Sequence, residues 1–369
     1  MTENYISISK RIKDIQIFLK KLENENYPKF LPLLEGITDE GRSLSLGFSN
    51  YALKLYYMTG QWDMLKSEEQ RNWISYLQSF QKETLDNFEN QFIDEVLYRS
   101  YKKFKPVDNI KDSAKILLNK TNHFNFTLKK QKFNEAINAE TKQTVSTLFQ
   151  VGSKNLQTIS NPYNSKEELI NYLNKLNWST PWTSGAQFAS LCLYEATQDY
   201  KNEKILLNFI SKLANKDTGS YYLNKPKSNR EIINGAMKVL SGLDWLESEI
   251  HYPEKLIDFC LDNDPMDEGC DIVDYIYVLY RCSQQSKYKK NEINKLLLSK
   301  VENIYRLYNK EDKAFSYFKN KSQTYYYGVQ ISKGLNRADI HGTLLCVWAL
   351  IMILECNEMN DFKFKLIKP

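Results

Sequence analysis

Apolar residues recur at three- and four-residue spacing over most of the chain, and strict alternation of apolar and polar positions is almost absent. That pattern predicts helices. The expected helices span 5–22, 43–59, 67–80, 91–103, 109–120, 134–150, 165–176, 182–197, 201–214, 229–246, 252–262, 270–282, 290–308 and 340–356. Proline and glycine fall mostly between these segments, as helix punctuation should. Two kinds of helix stand out. Segments 270–282 and 340–356 are apolar on nearly every side, whereas 67–80 and 290–308 are amphipathic. A helix that is apolar all round has to be enclosed by others, and an amphipathic one can lie outside them. The expected architecture is therefore all-α and layered, with 43–59, 182–197, 229–246, 270–282 and 340–356 as inner helices.

Short motifs echo one another along the chain. Asn50-Tyr-Ala-Leu-Lys54, followed by Trp62, returns as Asn234-Gly-Ala-Met-Lys238, followed by Trp245, 184 residues later. Three turn motifs, Asn90-Gln-Phe92, Asp217-Thr-Gly-Ser-Tyr221 and Asp312-Lys-Ala-Phe315, carry aromatic residues 129 and 94 residues apart. These gaps are near multiples of a unit of about 43 to 47 residues, the length of a helix pair with its turns. A ring of roughly six such hairpins would use most of residues 1–369 as one domain. The rival is a two-domain split near the irregular stretch 121–133, which would let residues 1–120 fold alone; a second irregular stretch is 318–338.

The succession of outer helix, D-x-G-S-aromatic turn and apolar inner helix resembles the α/α toroids of terpenoid cyclases and protein prenyltransferases. Asp217-Thr-Gly-Ser-Tyr221 looks like a worn version of their Gln-Trp type repeat. Cys270-Asp-Ile-Val-Asp274, with the later Ala338-Asp-Ile-His-Gly342, also looks like uncharacterised bacterial toroid proteins. The resemblance implies a closed double ring of helices with extra N-terminal helices and a substrate cavity at its centre.

Composition narrows the function classes. Fifty basic residues oppose 45 acidic ones, a net charge of +5 spread along the chain with no basic block among aromatics, so nucleic acid is not an expected partner. Six cysteines, none in a CxxC pair, mostly inside apolar segments, suit a reduced cytoplasmic protein. The start of the sequence lacks the basic and apolar regions of a signal peptide, and the longest apolar run, Leu344 to Leu354, is 11 residues, too short for a membrane span.

In a ring, polar residues on otherwise apolar helices are the informative ones. Asp271 and Asp274 share a helix face, and burial beside a second carboxylate would raise the pKa of a general acid; Asp271 is also close enough to the helix start to serve its dipole. His341 opens the most apolar helix behind Asp339, and an Asp–His contact could relay protons. Asn50 with Lys54, and Asn234 with Lys238, offer two related faces for an anion such as a phosphate, diphosphate or carboxylate, with Arg42 nearby. Trp182 and Gln187 begin a further inner helix, where an aromatic face could meet a cation or a sugar.

No cofactor motif is present, and neither D-x-D-D nor D-D-x-x-D occurs. No cofactor is therefore expected. Cys270, Asp271 and His341 match the residue types of the prenyltransferase zinc site, without its Asp-x-Cys arrangement, which leaves zinc, or magnesium, as the alternative. The expectation is an enzyme acting on an anionic small molecule through buried Asp chemistry, similar to the terpenoid cyclases. A carbohydrate-active toroid, using paired carboxylates, and a non-catalytic helical scaffold remain the alternatives.

Overall fold

The computed structural model describes residues 2–23, 28–86, 88–103, 106–119, 128–163, 165–265, 268–361 and 363–369. His123 and the first half of the irregular stretch 121–133 lie outside them. The described helices are α1 (Thr2–Leu22), α2 (Asp39–Ser43), α3 (Leu46–Met58), α4 (Ser67–Gln78), α5 (Glu95–Lys102), α6 (Pro106–Asn119), α7 (Lys129–Gln150) and α8 (Lys166–Lys175). They continue with α9 (Pro181–Gln198), α10 (Glu203–Ser211), α11 (Asn229–Trp245), α12 (Pro253–Leu261), α13 (Gly269–Gln285), α14 (Lys290–Tyr305) and α15 (Ile340–Cys356). The protein is thus mostly helical. No described helix is long and apolar enough to cross a membrane.

Each expected helix has a counterpart, with two corrections. Residues 88–92 are not the start of a helix over 91–103: strands β1 (Gln81–Leu85) and β2 (Phe88–Phe92) form an antiparallel hairpin, and α5 begins only after Asp94 caps it through the Val96 amide. Phe88 and Phe92 are both buried, and a spacing of four fits one face of a helix as well as one face of a strand. Helix α7 begins at Lys129, ahead of the expected 134, where the Gln131 side chain accepts from the Leu128 amide.

Six helices follow one another in contact: α3 packs on α7, α7 on α9, α9 on α11, α11 on α13, α13 on α15, and α15 returns to α3. All five helices expected inside belong to this cycle; the sixth, α7, does not look apolar in sequence. Helix α15 buries residues on every side, which only surrounding helices can satisfy. By contrast α14 buries one stripe, Ile293, Leu297, Val301 and Ile304, against α13 and α15. The tightest contact, α9 on α11, is set by glycine. A Cβ on Gly235 would stand 2.5 Å from Pro181 Cβ, and one on Gly185 would stand 3.0 Å from Lys238 Cβ.

The same corner recurs four times along the chain, between α1 and α2, α4 and α5, α10 and α11, and α14 and α15. Bridges pair Glu23 with Phe30 and Ala214 with Tyr221, and strand pairs join Gln81 to Phe92 and Tyr308 to Phe315. In each corner the amide after the aromatic donates to a carbonyl next to the first partner: Leu31 to Leu22, Ile93 to Phe80, Tyr222 to Leu213 and Ser316 to Leu307, at 2.9 to 3.1 Å. All four aromatic side chains are fully buried. In three corners the residue two before the aromatic has positive φ: Asn90, Gly219 and Lys313, at 55°, 72° and 58°. Only Gly219 admits no alternative, because a Cβ there would meet Tyr252 O and Leu256 N at 2.6 Å. The three turn motifs of the sequence are these corners; the Phe30 corner had no matching letters.

Phe92→Ala and Phe315→Ala are expected to cost about 3 to 5 kcal/mol each in denaturant unfolding. A loss below about 1 kcal/mol would show that the corners do not hold the helices in place.

Candidate functional site

Every helix of the cycle turns at least one polar side chain into a shared cavity of about 280 Å³, among them Lys54 from α3, Lys142 from α7, Gln187 from α9, Lys238 from α11, Asp274 from α13 and His341 from α15. Five of these six were expected from sequence. Leu344, Trp348 and Met237 supply apolar wall, and Tyr51, Tyr327, Cys270, Glu135, Asn138 and Gln143 are among the further polar lining. Larger depressions exist, such as a groove of about 850 Å³ beside Arg99, Lys132 and Tyr325. Its basic residues Arg99, Lys103 and Lys132 are exposed, whereas the inner cavity holds the buried Lys54 and Asp274, neither in an ion pair among the described residues.

Lys54 Nζ donates to Ser146 Oγ at 3.0 Å, and none of the three lysines forms an ion pair among the described residues. Burial, with Lys142 adding to it, pushes the Lys54 ammonium down to about 7. Lys142 is lowered to about 7 as well, by burial and then by Lys238. Burial raises the Asp274 carboxyl to about 6, with Lys238 opposing the shift and Asp271 adding to it. Asp274 Oδ2 is buried without a hydrogen-bond partner among the described residues. A carboxyl in this state holds a proton close to neutrality and has an oxygen free to hand it on.

His341 is half-buried and lowered to about 3, first by desolvation and then by Lys238, so it is neutral at physiological pH. Its partner is not an aspartate: Nδ1 lies 3.1 Å from Gln323 Oε1, which places the proton on Nδ1. The ring stacks on Tyr51 with centroids 4.7 Å apart. Asp339 serves the backbone, accepting from the amides of Gly342, Tyr317 and Gln323 at 2.7 to 2.9 Å; burial still raises its carboxyl to about 6. It thereby positions both His341 and its partner.

The remaining expected residues do not line the cavity. Asp271 is paired with Arg230, whose Nε lies 2.8 Å from Oδ1, and also accepts from Asn234, so both its partners lie outside the cavity. Asn50 makes the corresponding bond to the next helix of the cycle, donating to Thr144 Oγ1 at 2.8 Å. Trp182 lies under the Arg230 guanidinium, 5.5 Å from the ring centroid, and its amide donates to Glu231. Arg42 is exposed on α2. Cys270, Asp271 and His341, the set with zinc-like residue types, take separate partners: Tyr317, Arg230 and Gln323. Among the described residues no three His, Cys, Asp or Glu side chains converge as a metal site.

Lys142 does not stand out in sequence because α7 mixes many polar residues with its apolar ones and offers little contrast. A signal existed: Asn138-Ala-Glu-Thr-Lys142 repeats the four-residue Asn–Lys spacing of 50/54 and 234/238. Glu135, a second carboxyl on the cavity wall, carried no signal.

Residues 364–369 lie across the C-terminal ends of three cycle helices. The Lys365 amide donates to Met58 O at 2.9 Å, the Lys368 amide to Gln150 Oε1 at 3.1 Å, and Trp245 Nε1 to Pro369 O at 2.9 Å. Ile367 and Pro369 line the cavity. Beyond them is a second cavity of about 430 Å³ against Arg281 and Asp244, and Ile367 and Trp348 border both.

Comparison with protein-family models, curated proteins and solved structures finds no match to this chain.

A buried lysine with its pKa depressed opposes folding wherever it must be charged, so its cost appears as pH falls from the unfolded value of 10.5 through about 7. Lys54→Met is therefore expected to raise unfolding stability at pH 7 by about 1 to 3 kcal/mol, an advantage that shrinks toward pH 10 in denaturant titrations. Equal or lower stability at pH 7 would mean that Lys54 has a counter-charge.

Proposed function

We propose that the protein is an α/α-toroid enzyme that binds a small anionic molecule at the centre of its helix ring and uses Asp274 as its acid–base group. The observation that carries this reading is the convergence of polar side chains from all six helices of the cycle, including three lysines that form no ion pair among the described residues. Fixing an internal lysine without a counter-ion opposes folding, and an anionic ligand offsets that cost on binding. The return of α15 to α3 supports the toroid, and α4, α10, α12 and α14 packed against the cycle supply helices for its outer layer. This arrangement agrees with the resemblance to terpenoid cyclases and prenyltransferases.

The substrate class follows from the wall. Lysines face a phosphate, diphosphate or carboxylate, while Leu344, Met237 and Trp348 accept an apolar body. A volume of about 280 Å³ suits a small compound. Asp274 donates its proton to a developing negative charge, and neutral His341 orients a polar group through hydrogen bonding. One observation favours the carbohydrate-active reading as a second choice: Glu135 joins Asp274 on the cavity wall, and burial raises its carboxyl too.

Thermal-shift measurements with phosphate, pyrophosphate, prenyl diphosphates and uronic oligosaccharides separate these readings. The expected result is stabilisation by the phosphorylated compounds, about 2.7 kcal/mol at a hundredfold excess over Kd. It should be largely lost in Lys238→Ala and weaken as pH rises above 7. Stabilisation by oligosaccharides alone would select the second reading. No shift with any anion would leave the helical scaffold.

A further inference from the structure

Lys54 is set apart from the other cavity lysines by its immediate surroundings. It is 2% exposed, and its amine has a neutral hydroxyl, Ser146 Oγ, as partner. The buried acid of the neighbouring helix, Glu140, is occupied elsewhere, accepting from Tyr326 OH at 3.1 Å. The cationic charge that bears on Lys54 comes from Lys142. A dry site, a hydroxyl partner and a neighbouring cation together favour the free amine, which is the nucleophilic form.

We propose that Lys54 forms an imine with the carbonyl carbon of a small oxo acid, or of a phosphorylated aldehyde or ketone, whose anionic group is held by Lys142 and Lys238. The inference rests on the anion-binding reading above and adds a covalent step to it.

The step balances with groups on the cavity wall. The Lys54 Nζ lone pair attacks the carbonyl carbon, forming the C–N bond, and the carbonyl π electrons move to oxygen. A proton passes from nitrogen to that oxygen through Asp274, giving the neutral carbinolamine. Protonated Asp274 then donates to the hydroxyl, the C–O bond breaks, and water leaves as the nitrogen lone pair closes the C=N bond. The products are a protonated imine, water and the Asp274 carboxylate. The cation thus created is an electron sink for the bond next to the former carbonyl carbon, and Asp274 is left in the form that removes a proton there. At pH 7 the amine at Lys54, lowered to about 7, is neutral in about half of the molecules. That fraction is roughly a thousandfold greater than for an ordinary lysine.

The test uses the full chain, glyoxylate as probe and sodium cyanoborohydride to reduce any imine, read by intact mass and peptide mapping at pH 7. One adduct per chain at Lys54 is expected, formed at least about tenfold faster than at any exposed lysine. Lys54→Arg, which keeps the charge, should abolish that adduct, and Lys238→Met should slow it about tenfold. Absence of an adduct, or adducts spread over surface lysines, would overturn the imine. Thermal shift by phosphate on the same samples separates the two readings. A shift retained without an adduct removes only the covalent step, while loss of both removes the anion site as well.

Discussion

The fold depends on one hydrogen-bonded corner used four times. A carbonyl at the end of an outer segment accepts from the amide that follows a buried aromatic residue, and the chain turns from the surface toward the interior. The bond satisfies backbone groups at a helix end that would otherwise be buried without partners, and the aromatic ring fills the space beneath the turn. Lys54, Lys238 and His341 come after three of these corners in the chain, and all three line one cavity.

Once six helices enclose one another, every polar residue on an inward face has to be partnered or left facing a cavity. The protein contains both outcomes. Asn50 donates to Thr144 and Asn234 to Asp271, each reaching the next helix of the cycle, so these residues join helices rather than meet a ligand. One turn further along the same helices, Lys54 and Lys238 form no ion pair among the described residues. The same division separates the two aspartates of α13: Asp271 is neutralised by Arg230, and Asp274, three residues on, is left with a buried free oxygen.

This division marks how far the sequence could be read. Helix positions and their inner or outer character follow from periodicity, since a stripe such as Ile293, Leu297, Val301 and Ile304 is visible without coordinates. The cavity residues Lys54, Gln187, Lys238, Asp274 and His341 were visible as polar interruptions of apolar helices. Lys142 was hidden because α7 mixes many polar residues with its apolar ones, and the Phe88–Phe92 strand because a spacing of four does not distinguish helix from strand. Nor could sequence sort Asp271 from Asp274. That distinction depends on Arg230, 41 residues away in the chain and on another helix.

The strap formed by residues 364–369 has a consequence for traffic. Ile367, together with Trp348, is a partition between two chambers of about 280 and 430 Å³. A small anion held in the inner chamber, as proposed above, would meet Ile367 and Pro369 on one wall. Bulk at position 367 would then limit the length of ligand that the chamber takes, a dimension of selectivity set by a stretch of chain that belongs to no helix.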